Sequence, residues 1–315
     1  MKKILASILV AIIITATFIL PVFASTVDLV ATDIQINAAT CAVPPVMDGK
    51  LDADSYQQIN VTADQCSYNA NDDTELAFLQ TMPFKAYLSY DATNVYVLLS
   101  ADATQYYYCD HAAGDEANIW NQSCCQISFS TGDGNSSPAL EIGLARNSTD
   151  GTILPNIWSQ APDGTGDFDL TVASNHAVLL DGGTINYEVA VPWTEFLAAA
   201  PKVGDKFGLN FIVGYSNDGN RMYIEYSAGC GSGKDPSLFA KVTLTDTVLA
   251  AAPATTEAPA TDAAAPATDA AAPAPAPAAP ATTAPTTGDN TLAIFSVMVI
   301  AAAGVVIFRK KLLVK

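Results

Sequence analysis

Phe84-Lys85-Ala86-Tyr87-Leu88-Ser89-Tyr90, then Asp91-Ala92-Thr93-Asn94, then Val95-Tyr96-Val97-Leu98-Leu99-Ser100-Ala101: the fold is decided by these residues. The runs flanking Asp91–Asn94 repeat every two residues and are rich in aromatic and β-branched side chains. That is the pattern of paired strands with one buried face. A loop follows as far as Trp120, and Cys125-Gln126-Ile127-Ser128-Phe129-Ser130 then resumes the alternation. Ile127 and Phe129 are expected in a core, which turns Gln126 and Ser128 to the opposite face. The outward face beside Trp120 is the expected place of function.

The same period recurs outward from this stretch. Leu140, Ile142 and Leu144 are expected inside, with Glu141, Gly143 and Ala145 outside. Ala177–Leu180 and Ile185–Val191 flank Asp181-Gly182-Gly183, a strong hairpin signal. Pro192 ends that strand, and Trp193 to Leu197 can start a short helical turn with Trp193 in the core. Short strands are also expected at Phe168–Ala173, Phe207–Val213, Met222–Tyr226 and Phe239–Leu244. Upstream, Val27, Leu29, Ile34 and Ile36 alternate, Asp48-Gly49 can make a sharp bend, and residues 53–82 read as polar loop with one strand. About ten short strands without a long helical pattern describe an all-β antiparallel sandwich or barrel, a single domain over residues 25–247.

The two ends read as addresses. Lys2-Lys3, the apolar run Ile4–Leu20 and Val22-Phe23-Ala24 form a signal peptide over residues 1–24. Residues 248–283 are dominated by Ala, Pro and Thr, with Ala-Thr-Asp-Ala-Ala-Ala-Pro at 260–266 and again at 267–273, which predicts a disordered, extended linker. Residues 284–315 contain Pro285-Thr286-Thr287-Gly288, the apolar segment Thr291–Phe308 (a hydrophobic helix) and Arg309-Lys310-Lys311. This order resembles a sortase sorting signal, with Ala284 where leucine is usual. The resemblance implies cleavage between Thr287 and Gly288 and attachment of Thr287 to cell-wall peptidoglycan. The alternative is a plain tail anchor, since 18 residues just span a bilayer. Both place the protein outside the membrane, which only segment 291–308 would touch.

The formal charge of the 315-residue chain is −18, and between Ser25 and Gly288 there are 8 Lys and Arg against 31 Asp and Glu. Such a surface repels nucleic acid and anionic lipid and suits neutral ligands or cations. The six cysteines, Cys41, Cys66, Cys109, Cys124, Cys125 and Cys230, match no zinc spacing, and an oxidising exterior permits disulfides. Cys124 and Cys125 are expected on opposite faces of one strand. No carboxylate pair, G-x-S-x-G, H-E-x-x-H or phosphate loop stands out, so the chain does not read as an enzyme.

Six pieces in order give a resemblance over about residues 44–246. They are Val46-Met47-Asp48-Gly49-Lys50-Leu51-Asp52, the Ala86–Ala101 pair, Trp120–Phe129, Tyr187–Trp193 with its acid at Glu188, Gly208-Leu209-Asn210-Phe211, and Lys234-Asp235-Pro236-Ser237-Leu238-Phe239. Together they resemble the family 9 carbohydrate-binding modules and their DOMON-like jelly-roll relatives. That resemblance implies a jelly-roll sandwich holding a saccharide between two tryptophans. Trp120 falls on the first of these, Gln126 on a site glutamate, Asn210 on a face asparagine and Arg221 on a loop arginine. The second tryptophan falls near Gly233, which has no side chain to stack. On the strand after Gln126 only Glu141 keeps a polar side chain. Trp158, Tyr106, Tyr107 and Tyr108 could form a substitute platform, or simply pack the loops. Relatives use calcium structurally, and the acidic loops would suit it. The resemblance implies a non-catalytic carbohydrate-binding surface protein. The competing expectation is a structural or adhesive protein that keeps the fold but has lost the sugar site.

Overall fold

The computed structural model describes residues 25–249 apart from positions 28, 30–32, 132–139, 160–167, 198–199 and 232. Within them the chain forms fourteen strands: β1 Ser25–Val27, β2 Gln35–Cys41, β3 Gln57–Ile59, β4 Cys66–Ala70, β5 Phe84–Tyr90, β6 Asn94–Asp102, β7 Cys124–Ser130, β8 Leu140–Arg146, β9 Ile153–Ser159, β10 His176–Asp181, β11 Thr184–Pro192, β12 Lys206–Asn217, β13 Asn220–Tyr226 and β14 Ala240–Leu249. One helix, α1 (Asp73–Gln80), and four short 3-10 turns accompany them.

β5 and β6 form the hairpin that the central stretch predicts, with Phe84 opposite Ala101 and Tyr90 opposite Val95. Asp91 closes the turn: its Oδ1 accepts from the backbone N–H groups of Thr93 and Asn94, each at 2.7 Å, so a side chain takes the place of a turn carbonyl. β6 continues to β11, which folds back on β10 through the Asp181–Thr184 turn. β3 pairs with β5, as does β2 at Thr40–Tyr90, and β2 leads on to β14. These strands make one layer. The other runs β9-β8-β7-β12-β13-β4-β1. Long β12 joins the two, because Lys206–Leu209 pair with β14 and later residues pair with β13.

The layers pack face to face as a β-sandwich. Phe84 of β5 meets Phe211 of β12 edge-on at 5.9 Å, and Trp193 meets Phe207 at 5.7 Å. Trp193 is a core residue, and its Nε1 donates to Asp91 O at 2.9 Å, tying the short turn after β11 to the β5–β6 hairpin. One ladder departs from antiparallel pairing over several residues: β2 and β14 run parallel. They lie at opposite ends of the domain in sequence, so no tight turn forces them into opposite directions.

Other departures have local causes. Residues 53–82 hold β3, β4 and α1 as well as loop; Asp72 caps α1 by accepting from Glu75 N at 2.8 Å. Phe168–Ala173 is a turn segment, not a strand, because Asp169 Oδ1 takes the Thr171 N–H and Asp169 O takes Asn175 Nδ2. β14 extends to Leu249, two residues past the expected start of the linker, by pairing Val248 and Leu249 with Thr40 and Cys41. All six cysteines are buried free thiols. Cys125 joins the main core, whereas Cys124 faces the other way and packs with Cys109 and Ile119. The signal peptide, most of the linker, the sorting signal and its hydrophobic helix lie outside the described residues. Among the described residues no helix is long and apolar enough to cross a membrane.

Glu188 on β11 fixes the Asp48-Gly49 bend. Gly49 has φ +78°, and a Cβ there would come within 2.5 Å of the Leu179 Cβ, so the position requires glycine. The Gly49 N–H donates to Glu188 Oε2 and the Tyr56 hydroxyl to Glu188 Oε1, both at 2.9 Å. Burial pushes the Glu188 carboxyl up to about 7 from an ordinary 4.5, overriding these two donors, which favour the charged form. The folded state therefore keeps a proton that the unfolded chain releases near pH 4.5. The stability tied to this site is complete below that pH and falls as pH rises toward 7, by on the order of 3 kcal/mol. Denaturant titrations across pH 4–8 should show this loss in the wild type. In Glu188→Gln the wild-type-minus-variant difference should trace it, and parallel pH profiles for the two proteins would refute it.

Candidate functional site

β7 is buried along its length, yet its two faces differ in chemistry. Cys125, Ile127 and Phe129 enter the core. On the other face Gln126 lies opposite Gly143 of β8 and Ile212 of β12, while Ser128 lies opposite Glu141 and Asn210. β13 extends this face with Arg221, Tyr223 and Glu225, opposite Ser216, Gly214 and Ile212.

A cleft of about 450 Å³ opens over this surface, lined by Trp120, Gln126, Glu141, Trp158, Arg221 and Lys234, with Gly231 and Gly233 also in its wall. Five of the six residues expected to contact a ligand thus come together. Asn210 does not: it is fully buried, and its Nδ2 lies 2.9–3.1 Å from Tyr226 O, Ser227 Oγ, Ala228 O and Glu225 Oε1. Those acceptors lie at the end of β13 and on the chain leaving it, so Asn210 holds the wall of the cleft and cannot reach its contents.

Trp120 sits on the 3-10 turn Glu116–Asn121. Ile119 is wholly buried beneath that turn, and the adjacent indole is 45 % exposed. His111 clasps the turn, with Nδ1 2.6 Å from Asp115 Oδ2 and Nε2 2.8 Å from Asn121 Oδ1. The Asp115 carboxylate can only accept, so Nδ1 carries a proton. Burial alone would lower the His111 pKa, but these hydrogen bonds outweigh it and raise it.

Trp158 reaches the face through an irregularity. Glu141 pairs with Ser159 and Ile142 with Ile157, leaving Trp158 as the extra residue of a bulge. Its indole lies over Gly143, where an added Cβ would stand 2.3 Å from two ring atoms. The missing polar side chain at 143 is therefore the space that admits a second tryptophan. Trp158 Nε1 donates to Ala117 O at 2.9 Å, locking the ring to the turn that carries Trp120. Gly233, the expected place of the second tryptophan, has open space where a side chain would be.

Glu141 and Lys234 form a salt bridge at 2.6 Å. Cys230 lies beneath them, its Sγ 3.3 Å from Ser128 Oγ and 3.5 Å from Glu141 Oε1. Burial first, and Glu141 second, push this thiol up to about 12, so it stays protonated. Lys234 and Cys230 were not legible as site residues, because the partner they share is about ninety positions away. The Arg221 guanidinium lies 4.2 Å over the Tyr223 ring and 5.8 Å from that of Trp120. The Gln126 carboxamide makes no hydrogen bond among the described residues and is free to meet a ligand. Tyr106 and Tyr107 pack against the core and Tyr108 bonds Asp110, and none of the three lines this cleft. Among the described residues no three His, Cys, Asp or Glu side chains gather as a metal site.

No protein-family model and no curated protein sequence matches the chain. Among solved structures, a family 9 carbohydrate-binding module from Caldicellulosiruptor kristjanssonii in complex with cellotriose is 16% identical. It covers 67% of this chain and 94% of its own, at a TM-score of 0.42. The family 9 module from that organism in complex with glucose gives 16% identity, 67% and 96% coverage and a TM-score of 0.43. Scores of this size carry no argument by themselves, and the sandwich described above rests on its own strand pairings.

Because Trp158 occupies the room left by Gly143, Gly143→Ala should displace the indole and break its bond to Ala117. The expected cost is about 1–3 kcal/mol of overpacking, with a red-shifted tryptophan emission. Emission and melting temperature equal to wild type would show that the ring does not depend on that space.

Proposed function

We propose that this chain is a non-catalytic carbohydrate-binding protein whose sandwich holds a saccharide in the Trp120–Trp158 cleft. The observation that carries this reading is the pairing of an open indole with a second, locked one beside polar side chains that have hydrogen-bonding capacity to spare. Sugar C–H faces pack on aromatic rings, while hydroxyls need fixed donors and acceptors to replace water. Trp120 and Trp158 offer the first, and Gln126, Glu141, Arg221 and Lys234 the second. A scaffold that had lost its site would have no reason to keep Trp120 exposed on a braced turn.

Binding suits the carboxylates better than hydrolysis does. Glycosidases use two carboxyl groups flanking the scissile bond. Glu141 is ion-paired to Lys234, and Glu225 is buried with Oε1 taken by the Cys230 and Gly231 N–H groups. Neither is poised as an acid or a nucleophile.

The ends of the chain add the address: export by residues 1–24 and wall attachment at Thr287 after cleavage before Gly288. In a Gram-positive host, Thr287→Ala should move the protein from the muramidase-released wall fraction to the membrane fraction. Wild type and variant both in the membrane fraction would leave only the plain tail anchor, and a variant still released with the wall would overturn attachment at Thr287.

Glycan arrays followed by titration calorimetry test the binding itself. Trp120→Ala should weaken any saccharide found by about tenfold or more, the loss of one stacking ring at about 1.5 kcal/mol. Its melting temperature should stay near wild type, because the indole is largely outside the core. Undiminished affinity would move the site elsewhere.

A further inference from the structure

We infer that the cleft is selective for an acidic sugar, a hexuronic acid residue whose carboxylate is received by Arg221. The inference rests on the saccharide reading above and adds the charge of the ligand. Two cations and one carboxylate line the cleft, and Lys234 already neutralises Glu141 at 2.6 Å. Arg221 is left over. It makes no ion pair among the described residues, and its Nε is buried without a hydrogen-bond partner.

A neutral sugar hydroxyl would satisfy such a group incompletely, whereas a carboxylate matches it. The guanidinium carbon lies over the Tyr223 ring, 4.2 Å from its centroid, with the Trp120 ring centroid 5.8 Å away, so two rings hold the group in place before a ligand arrives. A stacked, planar fork is suited to two parallel N–H···O bonds with one carboxylate. The nearest acid along the same strand, Glu225, is occupied by Asn210 Nδ2 and the Cys230 and Gly231 N–H groups through Oε1, so it is held by the wall.

The overall charge of −18 argues the other way, since it repels anions at a distance. That repulsion is screened beyond about 8–10 Å at physiological salt, and within the cleft the nearest charges decide. Local excess cation in an acidic protein also discriminates: polyanions such as nucleic acid meet the repulsive surface, while a single uronate residue meets only the pocket.

Titration calorimetry of the full chain with glucuronate and galacturonate, against glucose and galactose, compares ligands that differ at C6. The acids are expected to bind at least tenfold more tightly than their neutral partners, and in Arg221→Gln that ratio should fall toward one. Arg221→Lys, which keeps the charge but not the fork, should retain only part of the preference. Neutral sugars binding as well as the acids would overturn the acidic selectivity and leave the saccharide reading standing. An acid preference that survives Arg221→Gln would overturn the assignment to Arg221. Failure of all four sugars to bind would overturn the hexuronate selectivity, while the saccharide reading stands or falls with the glycan array.

Discussion

Gln126 faces Gly143 on one side and Ile212 on the other, and the surface of the domain depends on that register. Side chains on a strand alternate strictly, so a slip of one residue in β7 would send Gln126 and Ser128 into the core and expose Ile127 and Phe129. The penalty for that slip is large. Ile127 and Phe129 are fully buried, and each would lose roughly 1.5–3 kcal/mol of burial. The hydrophobic side of β7 therefore holds the polar side in place. Cleft-facing groups on β7 and β8 inherit their positions from core packing.

The polar side has its own electrostatic order. Glu141 and Asn210 are buried, which is tolerable only where partners meet them. Glu141 has Lys234 and the Cys230 thiol, while the Asn210 Nδ2 meets carbonyls at the end of β13 and just beyond it, leaving its Oδ1 without a partner among the described residues. The same chain segment supplies Lys234 and Gly231 to the cleft. Removing the Asn210 amide would thus loosen the wall without touching the ligand, which is why a residue expected at the surface turns out to be a brace.

The strands and the parity of the site were legible because alternation is a local signal: β5, β6, β7, β8 and β11 each announce their inner face within seven to nine residues. α1 was missed for a related reason. It buries only Glu75 and Leu79, so it has no apolar stripe to read, although its Asp72/Glu75 cap was on view. Phe168–Ala173 misled in the other direction, because its alternation is overridden by the Asp169 turn bonds. The cleft-lining residues Trp120, Gln126, Glu141, Trp158 and Arg221 could be named from sequence, but not the pairings that set their chemistry. Glu141 meets Lys234 across 93 positions, and Trp158 meets Ala117 across 41. No spacing rule reaches that far.

The Trp158–Ala117 bond shows why a departure from a motif need not remove a site. Gly143 and Gly233 looked like two losses, one of a polar group and one of an aromatic ring. In the folded chain the first makes good the second: without a side chain at 143, the bulge in β9 can lay an indole on the sheet. That indole then holds the carbonyl of Ala117, inside the turn that presents Trp120. One ring is thereby immobilised and positions the other. The side-chain freedom of Trp120 is already reduced, because its turn is fixed by Trp158 and by His111 with Asp115 and Asn121. The two tryptophans act as a unit through the backbone between them, and the glycine under one of them is as much a part of the site as the ring above it.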